Sequence, residues 1–235
     1  MSILKFEGAV IEILPRSKNI KSFRFKRPEG FDFKAGQYII VTIAVDGKNV
    51  SKPFSLSSSP TEKDYIEFTK RLTGHEFSNA LDSMEVGDIA GISGPFGKMT
   101  FEGKYDKIAL LSGGIGITPM RSICRYCTDM GLDTDVVLIC SDRTEDDMIF
   151  WKELMQMMEH NPNLKVFQTL TRASESWHGC RDRINADILK EQIPDYNTRE
   201  FFICGSPGMV KSMVEMLLSV GVPREKIKRE SLAGY

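Results

Sequence analysis

The chain has 235 residues, of which 41% are hydrophobic and 27% charged, and its formal net charge is −1. This composition is typical of a globular protein with one large domain or two of ordinary size, and it offers nucleic acid no global attraction. The N-terminal segment is too charged for a signal peptide and no run of about 20 apolar residues is present, so we expect a cytoplasmic protein with no membrane span.

The five cysteines are odd in number and irregularly spaced, which argues against a disulfide framework and favours a reducing compartment. Cys124 and Cys127 have the spacing of a redox motif, but they fall inside a predicted helix, where two ordinary buried cysteines are the better interpretation. No iron–sulfur spacing of the ferredoxin type is present. We therefore predict that the chain binds no metal.

The first hundred residues have the pattern of short strands separated by turn residues. One short helical stretch, at residues 77–82, interrupts them. We predict that residues 1–102 form a six-stranded antiparallel barrel. The strands are predicted at residues 5–14, 20–26, 37–44, 50–57, 65–71 and 88–93.

The fourth predicted strand contains the residues Lys52, Pro53, Phe54 and Ser55. They place a cation, an aromatic ring and a hydroxyl on one extended segment. A flavin needs charge for its phosphates, a face on which to stack and donors at the edge of its ring. By itself the segment is better interpreted as a half-exposed edge strand.

A second cationic segment lies at the junction between the fifth strand and the short helix, and it is a further candidate for phosphate binding. We expect the flavin to lie between the two segments. We read His75 as a loop residue, because no carboxylate or cysteine pattern beside it predicts a metal. The candidate residues of this second segment are Phe68, Lys70, Gly74, His75, Phe77 and Ser78.

From residue 104 onwards strands and helices alternate, which predicts a parallel sheet covered on both faces across residues 103–235. Ligands of such sheets bind beyond the carboxyl ends of the strands. The strands are predicted at 107–111, 135–140, 164–170, 201–204 and 226–229, and the helices at 119–130, 147–160, 186–192 and 207–220.

A glycine-rich turn follows the first of these strands, with Gly113, Gly114 and Gly116 in four positions. Thr118 and Pro119 then have the pattern of a helix start, with Thr as the capping residue and Pro in the first turn. Backbone can approach a ligand closely at glycine, and a helix N-terminus favours a phosphate. A buried turn without a ligand is the alternative.

A second turn of this kind follows the strand at 201–204. Gly205 precedes the last long predicted helix, and Met209 lies at the start of that helix. Two such strand ends in one sheet could flank a bound dinucleotide. Cys204, at the end of the strand, is either a small core residue or a contact for a planar ring.

Taken in order, the segments at 33–38, 52–55, 87–97, 112–119 and 204–209 resemble the motifs of the ferredoxin–NADP reductase superfamily. The resemblance covers essentially the whole chain. It implies an N-terminal flavin-binding barrel followed by a Rossmann-like NAD(P)-binding domain. It also implies FAD as cofactor, with NADPH or NADH as substrate.

In that family, hydride passes from the nicotinamide C4 to flavin N5, and electrons leave singly for a carrier. The resemblance implies that Ser55 donates near the flavin ring edge and that Cys204 lies near the nicotinamide. It further implies that Thr118 contacts the nicotinamide side and that Glu230 approaches the flavin from the last strand. Tyr235 resembles an aromatic tail residue beside the flavin, with terminal disorder an equal alternative.

Three departures from the family pattern matter. Lys52 replaces an arginine and cannot form a bidentate fork to a pyrophosphate. Phe54 replaces a tyrosine and lacks the hydroxyl. These two changes leave FMN open as the flavin. Gly74 and His75 stand where the family has a glycine pair, so one close backbone approach is in doubt.

The ribose 2′ position of a bound dinucleotide would lie after the strand at 135–140, near Ser141, Asp142 and Arg143. Asp142 would accept hydrogen bonds from a 2′-hydroxyl, whereas Arg143, with Arg181 or Arg183, would hold a 2′-phosphate. Taken singly, each of these charges is better interpreted as part of a solvated loop. We predict that both nucleotides are oxidised, with NADPH slightly ahead.

The predicted function is a flavin-dependent NAD(P)H oxidoreductase that passes single electrons to a separate carrier such as a ferredoxin. One alternative is an electron-transfer subunit of a larger redox complex. A different class of alternative is a non-enzymatic nucleotide sensor that has lost its flavin. The serine and aromatic ring of the 52–55 segment argue against the sensor.

Overall fold

The computed structural model describes residues 2–232. The first sheet is antiparallel, with the strand order β4-β3-β6-β1-β2-β5, and helix α1 (Glu76–Asp82) follows β5. Its strands are β1 (Leu4–Ser17), β2 (Ile20–Lys26), β3 (Tyr38–Val45), β4 (Lys48–Ser55), β5 (Tyr65–Arg71) and β6 (Ile89–Phe96).

The core of this sheet follows from the alternation of apolar residues along its strands. Strand β3 buries Ile39, Val41 and Ile43 on one face. On neighbouring strands the rings of Phe23 and Phe68 stack with centroids 5.2 Å apart. The predicted antiparallel barrel is confirmed in the form of a half-barrel.

The half-barrel is open between its two edge strands, β4 and β5. Past the end of β4, Leu56 and Phe68 form an isolated bridge, and the Ser57 amide donates to the Glu67 carbonyl. The chain therefore closes one end of the gap and leaves β4 and β5 unpaired with each other along the rest of their length.

The second sheet is parallel, with the strand order β11-β10-β7-β8-β9. Helices α2 (Ile117–Asp129) and α3 (Trp151–His160) pack on one face, and α4 (Ala186–Gln192) and α5 (Pro207–Ser219) on the other. The predicted alternation of strands and helices is confirmed. The strands are β7 (Lys107–Gly113), β8 (Asp135–Asp142), β9 (Leu164–Leu170), β10 (Glu200–Gly205) and β11 (Ile227–Ser231).

The predicted start of α2 was wrong. A 3-10 turn at Gly114–Gly116 leads directly into the helix, which begins at Ile117. The Thr118 hydroxyl is buried and donates to the Ile115 carbonyl at 3.0 Å, so it does not accept from the helix N-terminus. The helix N-terminus therefore has no side-chain cap.

The predicted start of α3 at residue 147 was also wrong, because a separate short turn occupies Glu145–Asp147. Thr144 and Asp147 cap that turn reciprocally. Phe150 then adopts a left-handed conformation with φ 65°, and the α-helix begins only at Trp151.

A cluster of four charged residues, Arg16, Glu62, Arg121 and Glu153, joins the two sheets. Arg121 on α2 is 2% exposed and donates to Glu62 Oε2 at 2.5 Å and to Glu153 Oε2 at 2.7 Å. Its guanidinium also donates to the Ser57 carbonyl at 3.0 Å, just after β4. Arg16 on β1 reaches Glu153 Oε1 at 2.6 Å. We call this set the interface cluster.

Between residues 2 and 232 the structure contains no helix long and apolar enough to cross a membrane. Over the same span, no three histidine, cysteine, aspartate or glutamate side chains are grouped so as to hold a metal ion. The five cysteines are free thiols.

Candidate functional site

A cavity of about 370 Å³ lies between the end of β4, the turn after β6 and strand β11. Tyr38, Ser55 and Glu230 contribute to its walls. Lys98 and Arg229 also line it, and both are exposed. The cavity therefore opens where the half-barrel meets the carboxyl end of the parallel sheet.

Ser55 has the clearest unmet bonding capacity in the cavity wall. It is 4% exposed, and within residues 2–232 its hydroxyl is the buried side-chain polar atom that has no hydrogen-bond partner. Native structures pair most buried hydroxyls, so this one is available to hydrogen-bond a ligand. The edge of a flavin ring, which carries donors and acceptors, fits this position.

Phe54 also lines the cavity, although its ring is held in the half-barrel core. It is 2% exposed and stacks on Phe68 at 4.6 Å and on Phe77 at 5.9 Å. Phe68 and Phe77 are buried behind it, and neither lines the cavity. Tyr38, which we did not select from the sequence, presents a second aromatic ring to the cavity.

Lys52 and Lys70 lie at the open gap of the half-barrel, on β4 and β5. Burial, and then the charge of Lys52, lower the pKa of Lys70 to about 8. A phosphate bound near both ammonium groups would offset their mutual repulsion. The gap therefore fits the phosphates of a flavin nucleotide.

The turn after β5 is ordered by its own side chains. Gly74 has φ +77°, and the Ser78 hydroxyl is buried and accepts from the Thr73 amide at 2.8 Å. His75 is exposed and occupies the N-cap position of α1, where its side chain makes no capping bond.

The glycine-rich turn after β7 packs directly on the end of β10. A Cβ on Gly116 would lie 2.2 Å from the Cys204 carbonyl oxygen, so no side chain fits there. Thr118 and Pro119 fall within the first turn of α2, and both are buried. The two predicted nucleotide turns are therefore in contact with each other.

Met209 on α5 joins the same two turns. A Cβ on Gly113 would lie 2.4 Å from its sulfur, and a Cβ on Gly205 would lie 2.5 Å from it. Ser206 caps α5 by accepting from the Met209 amide, and Pro207 follows at the first helical position, as predicted.

Cys204 and Glu230 are neighbours in register on β10 and β11. Burial, and then the nearby carboxyl of Glu230, raise the pKa of the Cys204 thiol, so the thiol stays protonated. Burial also raises the pKa of Glu230 to about 7. A carboxyl group that exchanges a proton near neutral pH therefore lines the cavity.

The loops after β8 and β9 carry the candidate 2′-phosphate residues. Arg143 and Arg183 are exposed. Arg181 donates to the carbonyls of its own loop, including that of Ser174 at 2.6 Å, so it holds the loop together. Arg172, which we did not select from the sequence, is also exposed, and its amide donates to the Arg143 carbonyl at 2.7 Å. Its position two residues after a parallel strand could have identified it.

Asp142 does not extend into the loop with these arginines. It is buried at the end of β8, and Ser141 beside it is half-buried. Tyr235 lies outside the described residues.

An open antiparallel half-barrel, a cavity at its edge and two glycine turns on a parallel sheet define a class of protein. Members of this class bind a flavin on the half-barrel and a pyridine dinucleotide at the ends of the parallel strands. The buried hydroxyl of Ser55 and the lysines at the gap fit a flavin here.

Comparison with known proteins identifies the same class. A model of the oxidoreductase FAD-binding domain matches residues 8–101, and one of the oxidoreductase NAD-binding domain matches residues 110–215. The chain belongs to the ferredoxin–NADP reductase superfamily. The predicted superfamily, fold class and FAD cofactor are thereby confirmed.

Among curated proteins, the chain is 31% identical over 229 residues to the glycine betaine monooxygenase reductase subunit of Chromohalobacter salexigens, covering 94% of this chain and 62% of that protein. It is 30% identical over 216 residues to NADH-cytochrome b5 reductase 1 of Dictyostelium discoideum, covering 89% of this chain and 76% of that protein. A solved ferredoxin reductase in carbazole 1,9a-dioxygenase is 25% identical with a TM-score of 0.85, covering 98% of this chain and 70% of that chain. The chain thus spans about 62% of the length of the monooxygenase reductase subunit.

Proposed function

We propose that this chain is a flavin-dependent NAD(P)H oxidoreductase that passes electrons to a separate protein. The observation that carries the proposal is the cavity at the sheet junction, where the unpartnered Ser55 hydroxyl and the Glu230 carboxyl line one space. When bound there, a flavin supplies the chemistry, because it accepts a hydride from a nicotinamide and releases electrons one at a time.

The residues of the half-barrel bind and orient the FAD. Lys52 and Lys70 neutralise its phosphates, helped by the turn of Gly74, His75 and Ser78. Pro53 and Phe54 form the wall beside the ring, and Phe68 and Phe77 hold Phe54 in place from behind. Ser55 donates a hydrogen bond to the ring edge, and Glu230, which lines the same cavity, holds a proton.

The residues of the parallel sheet bind the dinucleotide. Gly114, whose Cβ position is open, allows its pyrophosphate to approach the backbone at the start of α2, while Gly113 and Gly116 let the turn pack against Met209 and β10. Thr118, Cys204 and Gly205 lie at the junction of the two turns and position the nicotinamide end. Met209 packs against both turns and fixes their spacing.

We propose that NADPH is the preferred donor and that NADH is also oxidised. Arg143 and Arg172 are exposed on neighbouring loops, and Arg183 is exposed further along the chain. An arginine fork matches a phosphate group in charge and geometry.

The electron acceptor in this proposal is a one-electron carrier protein, ferredoxin-like in kind. The curated relative from Chromohalobacter is by name a reductase subunit of a monooxygenase, which supports a separate acceptor. Lys98 and Arg229 at the cavity favour an acidic surface on that partner. Five free thiols suit a cytoplasmic location.

The test is an anaerobic titration of the purified protein. We expect a yellow protein whose flavin absorbance is bleached by one equivalent of NADPH or NADH and is restored by two equivalents of ferricyanide. A colourless protein that binds nucleotide would instead support the sensor. A flavin that nucleotide does not reduce would support the electron-transfer subunit.

A further inference from the structure

Asp142 lies beside the glycine-rich turn, at a place where a negative charge is unexpected. Strands β7 and β8 pair Gly113 with Ser141, so Asp142 stands next to Gly114, the first residue of the turn. Asp142 is 9% exposed. The free amides of such a turn attract anions, and a buried carboxylate beside them competes with a phosphate for the same charge.

The surroundings of Asp142 only partly satisfy its charged form. Gln168 on β9 donates to its Oδ2 at 3.0 Å, and the nearby Gly114 amide also favours the charged form. Arg71 on β5 is the nearby cation, but it already pairs with Asp147 at 2.8 Å, and the charge of Asp147 opposes ionisation of Asp142.

These groups leave the carboxyl group poised near neutral pH. Burial is the main cause that raises the pKa of Asp142 to about 7, and the charge of Asp147 adds to it. Gln168, Arg71 and the Gly114 amide act in the opposite direction. Cys140 on the same strand stays a neutral thiol, because burial raises its pKa.

We propose that Asp142 is a positioning residue whose ionisation sets the affinity of the glycine-rich turn for the pyrophosphate of the dinucleotide. The neutral carboxyl leaves the Gly114 amide to the phosphate, whereas the carboxylate draws that amide to itself and repels the phosphate. The inference rests on the proposed function, since it assumes that the turn binds NAD(P)H. It also replaces the 2′-hydroxyl contact that the sequence indicated for Asp142.

The test measures the dissociation constant of NAD⁺ for the oxidised flavoprotein from pH 6.0 to 8.5 at constant ionic strength. NAD⁺ is the suitable probe because its pyrophosphate keeps the same charge over this range. We expect the constant to rise about tenfold with pH in the wild type, the effect of a shift of one pKa unit on binding. In Asp142→Asn this rise should be lost.

Two further variants separate this role from a general effect on the fold. Asp146→Asn removes an exposed carboxylate from the short turn at Glu145–Asp147, which follows β8. This variant should keep the wild-type dependence of the dissociation constant on pH. Gln168→Leu removes a donor that stabilises the charged form of Asp142, so it should move the midpoint of the profile to higher pH. A loss of packing alone would not move that midpoint in a defined direction.

The outcomes are distinguishable from those of the proposed function. A flat wild-type profile, or an Asp142→Asn profile that keeps the wild-type slope, overturns the role of Asp142 while nucleotide binding stands. The role of Asp142 is also overturned if Gln168→Leu does not move the midpoint of the pH profile. If the wild type binds no NAD⁺ at any pH, the proposed function itself fails.

Discussion

At the scale of single residues, the Ser55 hydroxyl offers the most direct test of the cavity. Ser55→Ala should slow hydride transfer about tenfold or more, because it removes a hydrogen bond at the ring where charge develops. It should weaken flavin binding much less, since the phosphate contacts are untouched. Stopped-flow reduction of the flavin and a flavin dissociation constant measure the two effects separately.

The stability of the flavin-free protein provides a control for that variant. An unpaired buried hydroxyl costs about 1–3 kcal/mol, so Ser55→Ala should not lower the free energy of unfolding of the protein without flavin. Unchanged turnover in the variant, with flavin fully bound, would remove Ser55 from the proposed mechanism.

A second prediction at this scale concerns Arg143. If Arg143 pairs with a 2′-phosphate, Arg143→Ala should raise the KM for NADPH and leave that for NADH almost unchanged. The loss should be about 1.5–3 kcal/mol, the range of a charge-assisted hydrogen bond. Steady-state kinetics with the two nucleotides measure it, and NADH acts as the internal control. Equal losses for both would mean that Arg143 supports the loop or the shared pyrophosphate instead.

At the scale of elements, the contact between the two glycine turns depends on Gly116. Gly116→Ala should weaken nucleotide binding at least tenfold, because the new Cβ would overlap backbone atoms of Cys204 and Gly205 and push the turn away from β10. The dissociation constant of NADP⁺ measures the effect.

Gly208→Ala is the matched control for that change. A Cβ on Gly208 would meet nothing within 4 Å, and the residue lies in the first turn of α5. Nucleotide binding should therefore be close to that of the wild type. If the two alanine variants bind equally well, the turn does not need its close approach to β10.

Local sequence patterns predicted most elements, because strand and helix periodicity depend on neighbouring residues. The strands Ile20–Lys26, Tyr65–Arg71 and Leu164–Leu170 match their predicted bounds. The two wrong helix starts have another cause. The Thr118 hydroxyl donates to the Ile115 carbonyl instead of capping α2. The left-handed conformation of Phe150 moves the start of α3 to Trp151. The boundary between residues 102 and 103 stays a prediction.

The site was less predictable than the fold, because burial depends on contacts between distant segments. The sequence placed Asp142 on a loop beside Arg143, whereas the end of β8 buries it beside the glycine turn. It likewise gave Phe54 a free stacking face, although Phe68 and Phe77 hold its ring. Which of the candidate residues contact a cofactor stays a prediction.

At the scale of the whole molecule, the interface cluster holds the two sheets in one arrangement. Its members are far apart in the sequence, so no local pattern could reveal it. Burial opposes the charge of Glu62 and Glu153. Arg121 outweighs it at Glu62 together with the Tyr65 hydroxyl and the Ser59 amide, and Arg121 and Arg16 together outweigh it at Glu153, so the pKa of both carboxyls is lowered. This stabilisation is therefore present above the ordinary carboxyl pKa range and is lost as the pH falls through the lowered values.

Breaking the cluster should be costly. Arg121→Met should lower the free energy of unfolding by about 3–5 kcal/mol at pH 7, because it leaves the Glu62 carboxylate without its cation and Glu153 with Arg16 alone. Arg125→Ala is the control on the same helix. Arg125 is half-buried, with 41% of its side chain exposed, and pairs with Asp129 one turn away, so its loss should cost about 0.5 kcal/mol or less. Urea denaturation at pH 7 measures both, and similar losses would show that the cluster does not stabilise the interface.

The order of strands in the half-barrel also constrains how the chain can assemble during synthesis. Strand β6 is the last of its sheet in the sequence, yet it lies in the middle, between β3 and β1. Until β6 has left the ribosome, the nascent chain can form only two separate pieces, β3 with β4 and β1 with β2 and β5. Each piece then exposes the strand edge that β6 later covers. Chaperones that bind exposed strand edges would therefore act on this chain before residue 96 emerges.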